Sequence, residues 1–427
     1  MTVTLDAWLY GTRVGTVGSS RPGRAELTFT DDALDRWGLG SSVLSGLLPL
    51  STADPSPARV VAWLAGLMPE GRARLRLAEA AGVDPDDPVA FLAVYGKDTA
   101  GALVLVPEGD DPEPRGRLRP VTDQEIAQML REAGDSGAVD QLTSVAGLET
   151  KIVLTATDAG WASPVGRPPS THIVKLARPA DSLAADLIDT EVAALELARS
   201  CGLTSVTGTI TDFDGVRAIV VDRYDRCVRS DGTVARVHQE DAAQLLGLST
   251  TDPDRKFQRG RALPSLRAIA RAMVAMGDVR PRDLLALTAF NVAIGNIDAH
   301  AKNISFLHDD EGRTRLAPAY DVAMHRHHRH AGSLLAMDVN GTSGIEDVTG
   351  ADLAAEGRGW GLTEREAVRA VRGTLSDLAD ALGSIDRGAH PGVPEVAWTT
   401  VERRTKSLIA TTSALRPSGR SRRATGR

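Results

Sequence analysis

The stretch GNIDAHAKNISF, residues 295–306, decides how the rest of this chain is interpreted. Asp298 and Asn303 are separated by four residues, which is the D-x-x-x-x-N spacing of a kinase catalytic loop. In such a loop the carboxylate accepts or orients the proton of a substrate hydroxyl, and the amide oxygen binds a magnesium ion on the phosphates. The motif also occurs by chance, because Asp and Asn before a strand commonly serve as turn or cap residues. The spacing alone favours that structural role, so the flanking sequence has to be weighed.

The elements predicted on either side of the motif favour catalysis. Apolar residues before it recur at spacings of three and four, which predicts a buried supporting helix. After it the pattern predicts a short strand, an acidic turn that ends in glycine, and a return strand that reaches Asp321 in APAYDV. A hairpin of this length brings Asp321 back beside Asn303, where a second carboxylate can bridge metal and phosphate oxygens. We therefore predict Asp298 as the catalytic residue and Asn303 and Asp321 as ligands of Mg²⁺.

A lysine upstream of the motif supports a nucleotide site. Lys175 lies in the predicted strand 171–176, THIVKL, and a helix is predicted over 182–200. Leu183 and every fourth residue after it form an apolar stripe that includes Glu191, and an unpaired carboxylate there is costly. An ion pair with Lys175 relieves that cost and matches the strand lysine and helix glutamate that hold ATP phosphates in kinases. The alternative is that the helix is phased differently and exposes Glu191.

Two further segments are candidates for binding the nucleotide. Residues 220–226, VVDRYDR, join a β-rich part to a helical part, and an extended segment there offers backbone groups to adenine, with Tyr224 beside its ring. The alternative is a polar strand end. The chain contains no G-x-x-x-x-G-K-[ST], and no G-x-G-x-x-G precedes Lys175. The best phosphate-loop candidate is a run of small residues whose backbone N–H groups can approach phosphate. These residues are Ser144, Val145, Ala146 and Gly147.

Length and composition restrict the class of protein. The chain has 427 residues, of which 42% are hydrophobic and 25% charged, which predicts two or three packed units. The formal net charge of -7 is no global reason to bind nucleic acid or an anionic membrane. Two cysteines exclude a disulfide framework and favour a reducing compartment. With no secretory signal and no apolar run long enough to span a bilayer, the sequence predicts a cytoplasmic protein without membrane attachment.

Changes in composition along the chain predict its domains. Residues 107–120 are rich in proline, glycine and charge, and we place a boundary there. The module before it begins with a hairpin and contains a helix over about 57–81 and a buried strand at 101–106. The fold class is predicted to be α+β, with a two-lobed kinase-like fold after an extra N-terminal subdomain. The predicted units are an N-terminal subdomain (1–108), a β-rich lobe with the phosphate loop and Lys175 (120–225), a helical lobe with the catalytic loop (226–412) and a disordered basic tail (413–427).

Four histidines in MHRHHRH, residues 324–330, follow the predicted metal ligand Asp321. No cysteine or patterned carboxylate accompanies them, and their spacing is irregular for a zinc site. The sequence therefore favours a solvated loop that steers anionic ATP or substrate.

Taken together, these motifs resemble the HipA family of toxin serine/threonine kinases. SVAGLETK, THIVKL, VDRYDR, HQEDAAQLLG, GNIDAHAKNIS and LAPAYD stand in the family's order, and LMPEGRARLRLAEAAGV and YGKDTAGALVLVPEG agree in the N-terminal module. The resemblance covers roughly residues 3–385. It implies a two-lobed kinase that uses ATP and Mg²⁺. One departure is Glu149, where the family usually has glutamine, and a carboxylate facing the triphosphate would weaken nucleotide binding.

The resemblance also implies roles for residues that match the family's motifs. Ser144 matches the loop serine whose autophosphorylation displaces the loop and inactivates the kinase. A phosphate contact is expected from Lys302. The implied ATP-binding residues are Lys175 on the phosphates, Glu191 as its partner, Ser144 to Gly147 in the loop, Asp222 and Tyr224 near adenine, and His300 and Lys302 in the catalytic loop.

Partners follow from the resemblance as well. It implies a HipB-like helix-turn-helix antitoxin that binds operator DNA, so that DNA is contacted through the antitoxin and the complex represses its operon. It implies an aminoacyl-tRNA synthetase, of the glutamyl type, as the phosphorylated protein. Two alternatives stay open: a small-molecule phosphotransferase of the antibiotic-resistance type, and a weakly active kinase that works mainly as a co-repressor.

Overall fold

A computed structural model of the chain describes residues 3–21, 23–112, 116–136, 151–166, 168–261, 263–277, 279–328 and 332–413. The phosphate-loop candidate at 144–147, Glu149 and the basic tail after Ser413 lie outside these residues. Within them, no helix combines the length and hydrophobicity needed to cross a membrane. Cys201 and Cys227 are both free.

The N-terminal module begins with an antiparallel sheet whose strand order is β3-β2-β1-β4. Alternation along β1 buries Leu5, Ala7 and Leu9 in the module's own core. The turn that follows uses positive φ at Tyr10 and Gly11, which suits the twist of a hairpin. The strands are β1 (Val3–Leu9), β2 (Thr12–Arg21), β3 (Arg24–Phe29) and β4 (Val104–Pro107).

The elements of this module differ from the prediction at three points. The single helix expected over 57–81 is two helices separated by residues 66–70, because Pro69 cannot donate the backbone hydrogen bond that a continuous helix needs. Leu75, expected on the apolar side, is exposed. The strand expected at 101–106 begins only at Val104. The helices are α1 (Asp31–Trp37), α2 (Pro57–Ala65), α3 (Gly71–Ala81) and α4 (Pro88–Tyr95).

A six-stranded antiparallel sheet with the order β5-β7-β6-β8-β10-β9 forms the β-rich lobe. Its first strand lies inside the segment 107–120, for which the composition predicts a domain boundary. The helix expected from 182 begins at Leu187, and Leu183 precedes it and is exposed. The elements are β5 (Gly116–Pro120), α5 (Asp123–Ser136), β6 (Lys151–Thr157), β7 (Gly160–Gly166), β8 (His172–Leu176), α6 (Leu187–Ser200), β9 (Gly208–Phe213) and β10 (Val216–Asp222).

The remaining chain is mostly helical and packs around α9, whose residues from Leu284 to Ile294 are almost all buried. This completes the predicted α+β, two-lobed arrangement with an added N-terminal module. The strands are β11 (Arg226–Val228), β12 (Val234–Arg236), β13 (His238–Asp241), β14 (Ser305–His308), β15 (Thr314–Leu316), β16 (Leu334–Val339) and β17 (Thr342–Gly344). The helices are α7 (Ala242–Leu245), α8 (Leu266–Ala275), α9 (Pro281–Ile294), α10 (Gly350–Gly359), α11 (Glu364–Ser384) and α12 (Glu395–Ser413).

A buried charge network joins the N-terminal module to the segment that follows β10. The Arg226 guanidinium lies 2.9 Å from Asp98 of the module and 2.8 Å from Asp225, which also pairs with Arg223 at 2.8 Å. Burial alone would raise the pKa of Asp225, but the two guanidiniums outweigh it and hold that pKa below its usual range. Removing one member of a buried ion pair leaves an uncompensated charge, which is costly. The network therefore holds the N-terminal module against the segment that follows β10.

Candidate active site

The catalytic-loop candidate begins where α9 ends at a left-handed Gly295. Asn296 donates from its side chain to the Asn291 side-chain oxygen over 2.8 Å and accepts from the Asp298 backbone N–H over 3.0 Å. The side-chain amide of Asn303 donates to the Asp298 carbonyl over 2.9 Å. Since this hydrogen bond uses the amide nitrogen, the Asn303 oxygen is available to a cation. Residues 298–303 therefore form a compact turn that this hydrogen bond closes.

The hairpin β14–β15 returns the chain to this turn, as predicted. Its end is tied back by Tyr320, whose hydroxyl lies 2.6 Å from the Ser305 hydroxyl and donates to the Lys302 carbonyl over 2.5 Å. Asp321 follows with a φ of +53°, in the left-handed region that Asp tolerates better than most residues. The hairpin and this bend bring the Asp321 carboxylate to the same cavity as Asn303.

The predicted ion pair between Lys175 and Glu191 is confirmed. The Lys175 ammonium on β8 lies 2.8 Å from the Glu191 carboxylate on α6 and 2.5 Å from the Asp321 carboxylate. Glu191 is buried, whereas the Asp321 side chain is 41% exposed and faces the cavity. Burial raises the pKa of Asp321, but the ammonium of Lys175 outweighs it and lowers that pKa below its usual range. One lysine therefore links a strand, a helix and the metal-site candidate.

Asp222 and Tyr224, predicted to lie near adenine, also border the cavity. The Asp222 carboxylate accepts from the Thr207 hydroxyl and lies 3.0 Å from the His172 imidazole. The Tyr224 hydroxyl donates to the Gln239 side chain, and its ring lies 5.1 Å from that of Tyr320. These contacts hold the segment after β10 in place, and both side chains line the cavity.

His300 and Lys302 are both buried within the catalytic loop. Burial, with a further contribution from the Lys256 ammonium, lowers the pKa of His300 to about 3, so its imidazole is neutral at physiological pH. The Lys302 ammonium lies 2.7 Å from the Asp241 carboxylate. Burial lowers the pKa of Lys302, but the Asp241 and Glu70 carboxylates outweigh it and raise that pKa. Lys302 lines the cavity while it is held by a carboxylate of its own lobe.

Sequence reasoning missed several charged residues of the site. Glu70, between α2 and α3 of the N-terminal module, lies 2.8 Å from the Lys256 ammonium and 4.0 Å from that of Lys302. Lys151 on β6 pairs in register with Lys175 on β8. Pro69 was the available signal, because a proline inside an apolar helical pattern interrupts the helix and frees the next residue. Nothing local indicated that Lys256 reaches that residue.

All nine described candidates line one cavity of about 310 Å³, at the lower end of the usual size for small-molecule sites. Lysines and Arg178 surround the carboxylates, a composition that suits a polyphosphate. Asn303 and Asp321 offer the hard oxygen ligands that Mg²⁺ prefers, so the residues present fit that ion. The nine are Lys175, Glu191, Asp222, Tyr224, Asp298, His300, Lys302, Asn303 and Asp321.

Models of one protein family match both the N-terminal and the C-terminal part of the chain. The model of the HipA-like C-terminal domain matches residues 143–382, more than half of the chain. The model of the HipA N-terminal domain matches residues 5–106.

Individual relatives and one solved structure agree. The Sinorhizobium fredii protein Y4mE is 31% identical over 89% of this chain and 90% of its own length. The serine/threonine-protein kinase toxin HipA of Shewanella oneidensis is 29% identical over 78% of this chain and 79% of its own. The solved structure of S. oneidensis HipA with HipB and operator DNA has a TM-score of 0.75 at 24% identity, covering 96% of this chain and 97% of the other. The chain therefore belongs to the HipA family of kinases.

Proposed function

We propose that this chain is an ATP- and Mg²⁺-dependent serine/threonine protein kinase that acts as the toxin of a type II toxin–antitoxin module. The observation that carries the proposal is the position of the Lys175 ammonium. It lies between Glu191 and Asp321 at the cavity that also contains Asp298 and Asn303. These are the charges that phosphoryl transfer needs, namely a cation for the phosphates, oxygen ligands for metal and a carboxylate for the hydroxyl.

The chain's own residues divide the work. Asp298 orients the substrate hydroxyl and accepts its proton, while the turn closed by Asn296 and Asn303 holds the carboxylate in place. Glu191 keeps Lys175 in position to bind phosphate oxygens. When Mg²⁺ is bound at Asn303 and Asp321, it offsets negative charge on the phosphates. Asp222 and Tyr224 are proposed to flank the adenine.

Transfer of labelled phosphate from ATP tests this division. Asp298→Asn and Asp321→Asn are each expected to abolish transfer to protein and to relieve growth arrest on expression. Asp380→Asn is the matched control, because Asp380 is an exposed carboxylate on α11 far in sequence from the site. Undiminished transfer in both site variants would disprove the assignment.

The acceptor is proposed to be an aminoacyl-tRNA synthetase of the glutamyl type. This part of the proposal rests on the family relationship, since the cavity lining carries no information about the protein acceptor. Purified glutamyl-tRNA synthetase should gain one phosphate per molecule by mass spectrometry with the wild type and none with Asp298→Asn. A labelled aminoglycoside in place of a labelled protein would instead favour a small-molecule phosphotransferase.

Ser144 is proposed as the site of autophosphorylation in the phosphate loop with Val145, Ala146 and Gly147. The wild type incubated with ATP should yield a phosphorylated peptide that contains Ser144, and Asp298→Asn should not. If Ser144→Ala incorporates as much phosphate as the wild type, another residue is the acceptor.

The partner is proposed to be a HipB-like helix-turn-helix antitoxin that carries the chain to operator DNA. The fold shared with the S. oneidensis protein, solved with HipB and operator DNA, supports this arrangement. The helix-turn-helix protein encoded beside this chain should shift operator DNA further in a gel when the chain is added, whereas the chain alone should not. Both proposed partners act in the cytoplasm, where we therefore place the chain. Absence of any such neighbour would contradict the antitoxin part and leave the kinase part standing.

A further inference from the structure

The histidine-rich segment after Asp321 differs from its prediction as a solvated loop. The side chains of His327 and His328 are 4% and 11% exposed, because both rings pack beside Asp186, which precedes α6. The His327 and His328 Nε2 atoms lie 2.7 and 2.6 Å from the two Asp186 carboxylate oxygens, and the ring centroids are 3.9 Å apart. The carboxylate that the sequence seemed to lack is supplied from 141 residues upstream.

We propose that Asp186, His327 and His328 form a binding site for Zn²⁺, separate from the Mg²⁺ site proposed at Asn303 and Asp321. One ligand atom from each residue lies within 4.8 Å of the others. Tetrahedral ligands about 2.1 Å from zinc are about 3.4 Å apart, so the carboxylate and rings need to separate by roughly 0.7 Å. Two imidazoles and one carboxylate leave the fourth position to water, which is a common ligand set for zinc.

The two rings are positioned by one carboxylate. The Nδ1 atom of His327 is buried and has no hydrogen-bond partner among the residues that the structure describes, so that ring is held through Nε2. Both Nε2 atoms converge on one carboxylate, so that two adjacent rings share a single acceptor group. A divalent cation between the three groups would take one lone pair from each of them at once, and the two neighbouring histidines already face the side on which it would bind.

The proposed zinc site lies close in sequence to both carboxylates that hold Lys175, which couples it to the kinase site. This coupling rests on the proposed function. Asp186 lies five residues before Glu191, and His327 lies six residues after Asp321. These are the two carboxylates that hold Lys175. Zinc bound here cross-links the start of α6 to the segment after Asp321. It would therefore hold both partners of Lys175 at their present separation.

Metal analysis of the full-length chain tests the site directly. After dialysis against Zn²⁺ and then buffer, the wild type should retain one zinc per chain. Asp186→Asn, His327→Ala and His328→Gln should each lose it. His328→Gln is the sharpest variant, because a glutamine amide still donates to Asp186 but does not replace an imidazole as a zinc ligand. Co²⁺ should give visible absorption bands in the wild type and lose them in the same variants.

Two controls separate this site from others. His390→Ala removes a buried imidazole that lies 2.8 Å from the Glu196 carboxylate and belongs to no three-residue metal cluster in the described part of the chain, so zinc should be retained. Asp321→Asn should also retain it, which excludes binding at the proposed Mg²⁺ site. Zinc-free wild-type protein, or equal zinc content in wild type and the three site variants, would overturn the proposal.

The coupling to the kinase has its own readout. Zinc should raise the thermal unfolding temperature of the wild type and of Asp298→Asn, but not that of His328→Gln. It should also increase phosphate transfer by the wild type. If zinc binds and stabilises but transfer is unchanged, the site stands and its coupling to Lys175 is wrong. If Asp298→Asn binds zinc while no form of the chain transfers phosphate, the proposed kinase function fails and the zinc site remains.

Discussion

Two buried lysines border the same cavity, and each is held by two carboxylates, but the surroundings of those carboxylates differ. Lys175 pairs with buried Glu191 and with Asp321, whose side chain is 41% exposed. Lys302 lies near Asp241 and Glu70, whose side chains are 11% and 1% exposed. Asp321 is therefore accessible from the cavity, whereas the partners of Lys302 are nearly closed to solvent. Two similar clusters of charge can thus differ in their access to ligands: the one around Lys175 is open to the cavity, and the one around Lys302 joins parts of the fold.

Lys302→Met should produce the largest effect, and it should be on stability. The substitution leaves the buried Asp241 carboxylate without its cation, while Glu70 keeps Lys256. Such a loss costs about 3–5 kcal/mol of unfolding free energy. Urea unfolding followed by circular dichroism measures this. Lys406→Met, at an exposed lysine of α12, is the control and should change little. A loss of ATP binding without a loss of stability would instead favour the phosphate contact that the sequence predicts for Lys302.

Lys175→Met should lower phosphate transfer about 100- to 1,000-fold, the usual effect of removing one electrostatic group from a catalytic site. It also leaves Glu191 unpaired, so some stability is lost. The double variant Lys175→Met/Glu191→Leu separates the two effects, because it removes the buried charge as well. We expect the double variant to recover stability and to remain inactive. Recovery of transfer would show that Lys175 contributes to folding stability rather than to catalysis, as we expect of Lys302.

Glu70→Gln should have a moderate effect. The amide keeps the size of the side chain and one hydrogen bond to Lys256, but it loses the charge-assisted interaction, which contributes about 1.5–3 kcal/mol. Urea unfolding measures the loss, and Glu79→Gln on the exposed side of α3 is the control. If the two variants unfold alike, the contact of Glu70 with Lys256 contributes nothing to stability.

The smallest effect is expected from His300, through pH. Its pKa is lowered to about 3 in the folded chain, chiefly by burial, against about 6.5 when unfolded. Between these values the unfolded state binds the proton, so stability falls as pH falls. The loss through this histidine is at most about 2 kcal/mol at pH 5. His300→Gln should show a smaller decrease than the wild type between pH 8 and pH 5 in urea unfolding. Parallel pH profiles would contradict a buried neutral His300.

Much of the site nearest the catalytic loop could be predicted from sequence, because local patterns control it. Strand alternation, helical periodicity and hairpin length place Lys175, Glu191 and Asp321 within reach of one another, and the structure contains the predicted ion pair. The roles of these residues toward ATP and Mg²⁺ stay predictions. Leu183 shows the limit of periodicity, since its stripe continued the helix pattern but the helix begins four residues later.

The contacts that were missed are formed by residues far apart in sequence. Glu70 meets Lys256 across 186 residues, and Asp186 meets His327 across 141. Such pairs depend on how finished elements dock, and docking follows from the complementarity of whole surfaces rather than from any window of residues. Isolated charges such as Asp241 therefore resemble ordinary solvated residues until the modules are in place.

The contact of Glu70 with Lys256 and Lys302 also concerns the order of synthesis. The N-terminal module is the first part of the chain to leave the ribosome, and its own core is complete by Leu105. Glu70 then remains open to water until Lys256 and Lys302 have been translated, and Lys256 alone follows Glu70 by 186 residues. The cavity can therefore close only on a largely finished polypeptide. Translation itself thus delays the moment at which the kinase site can first form.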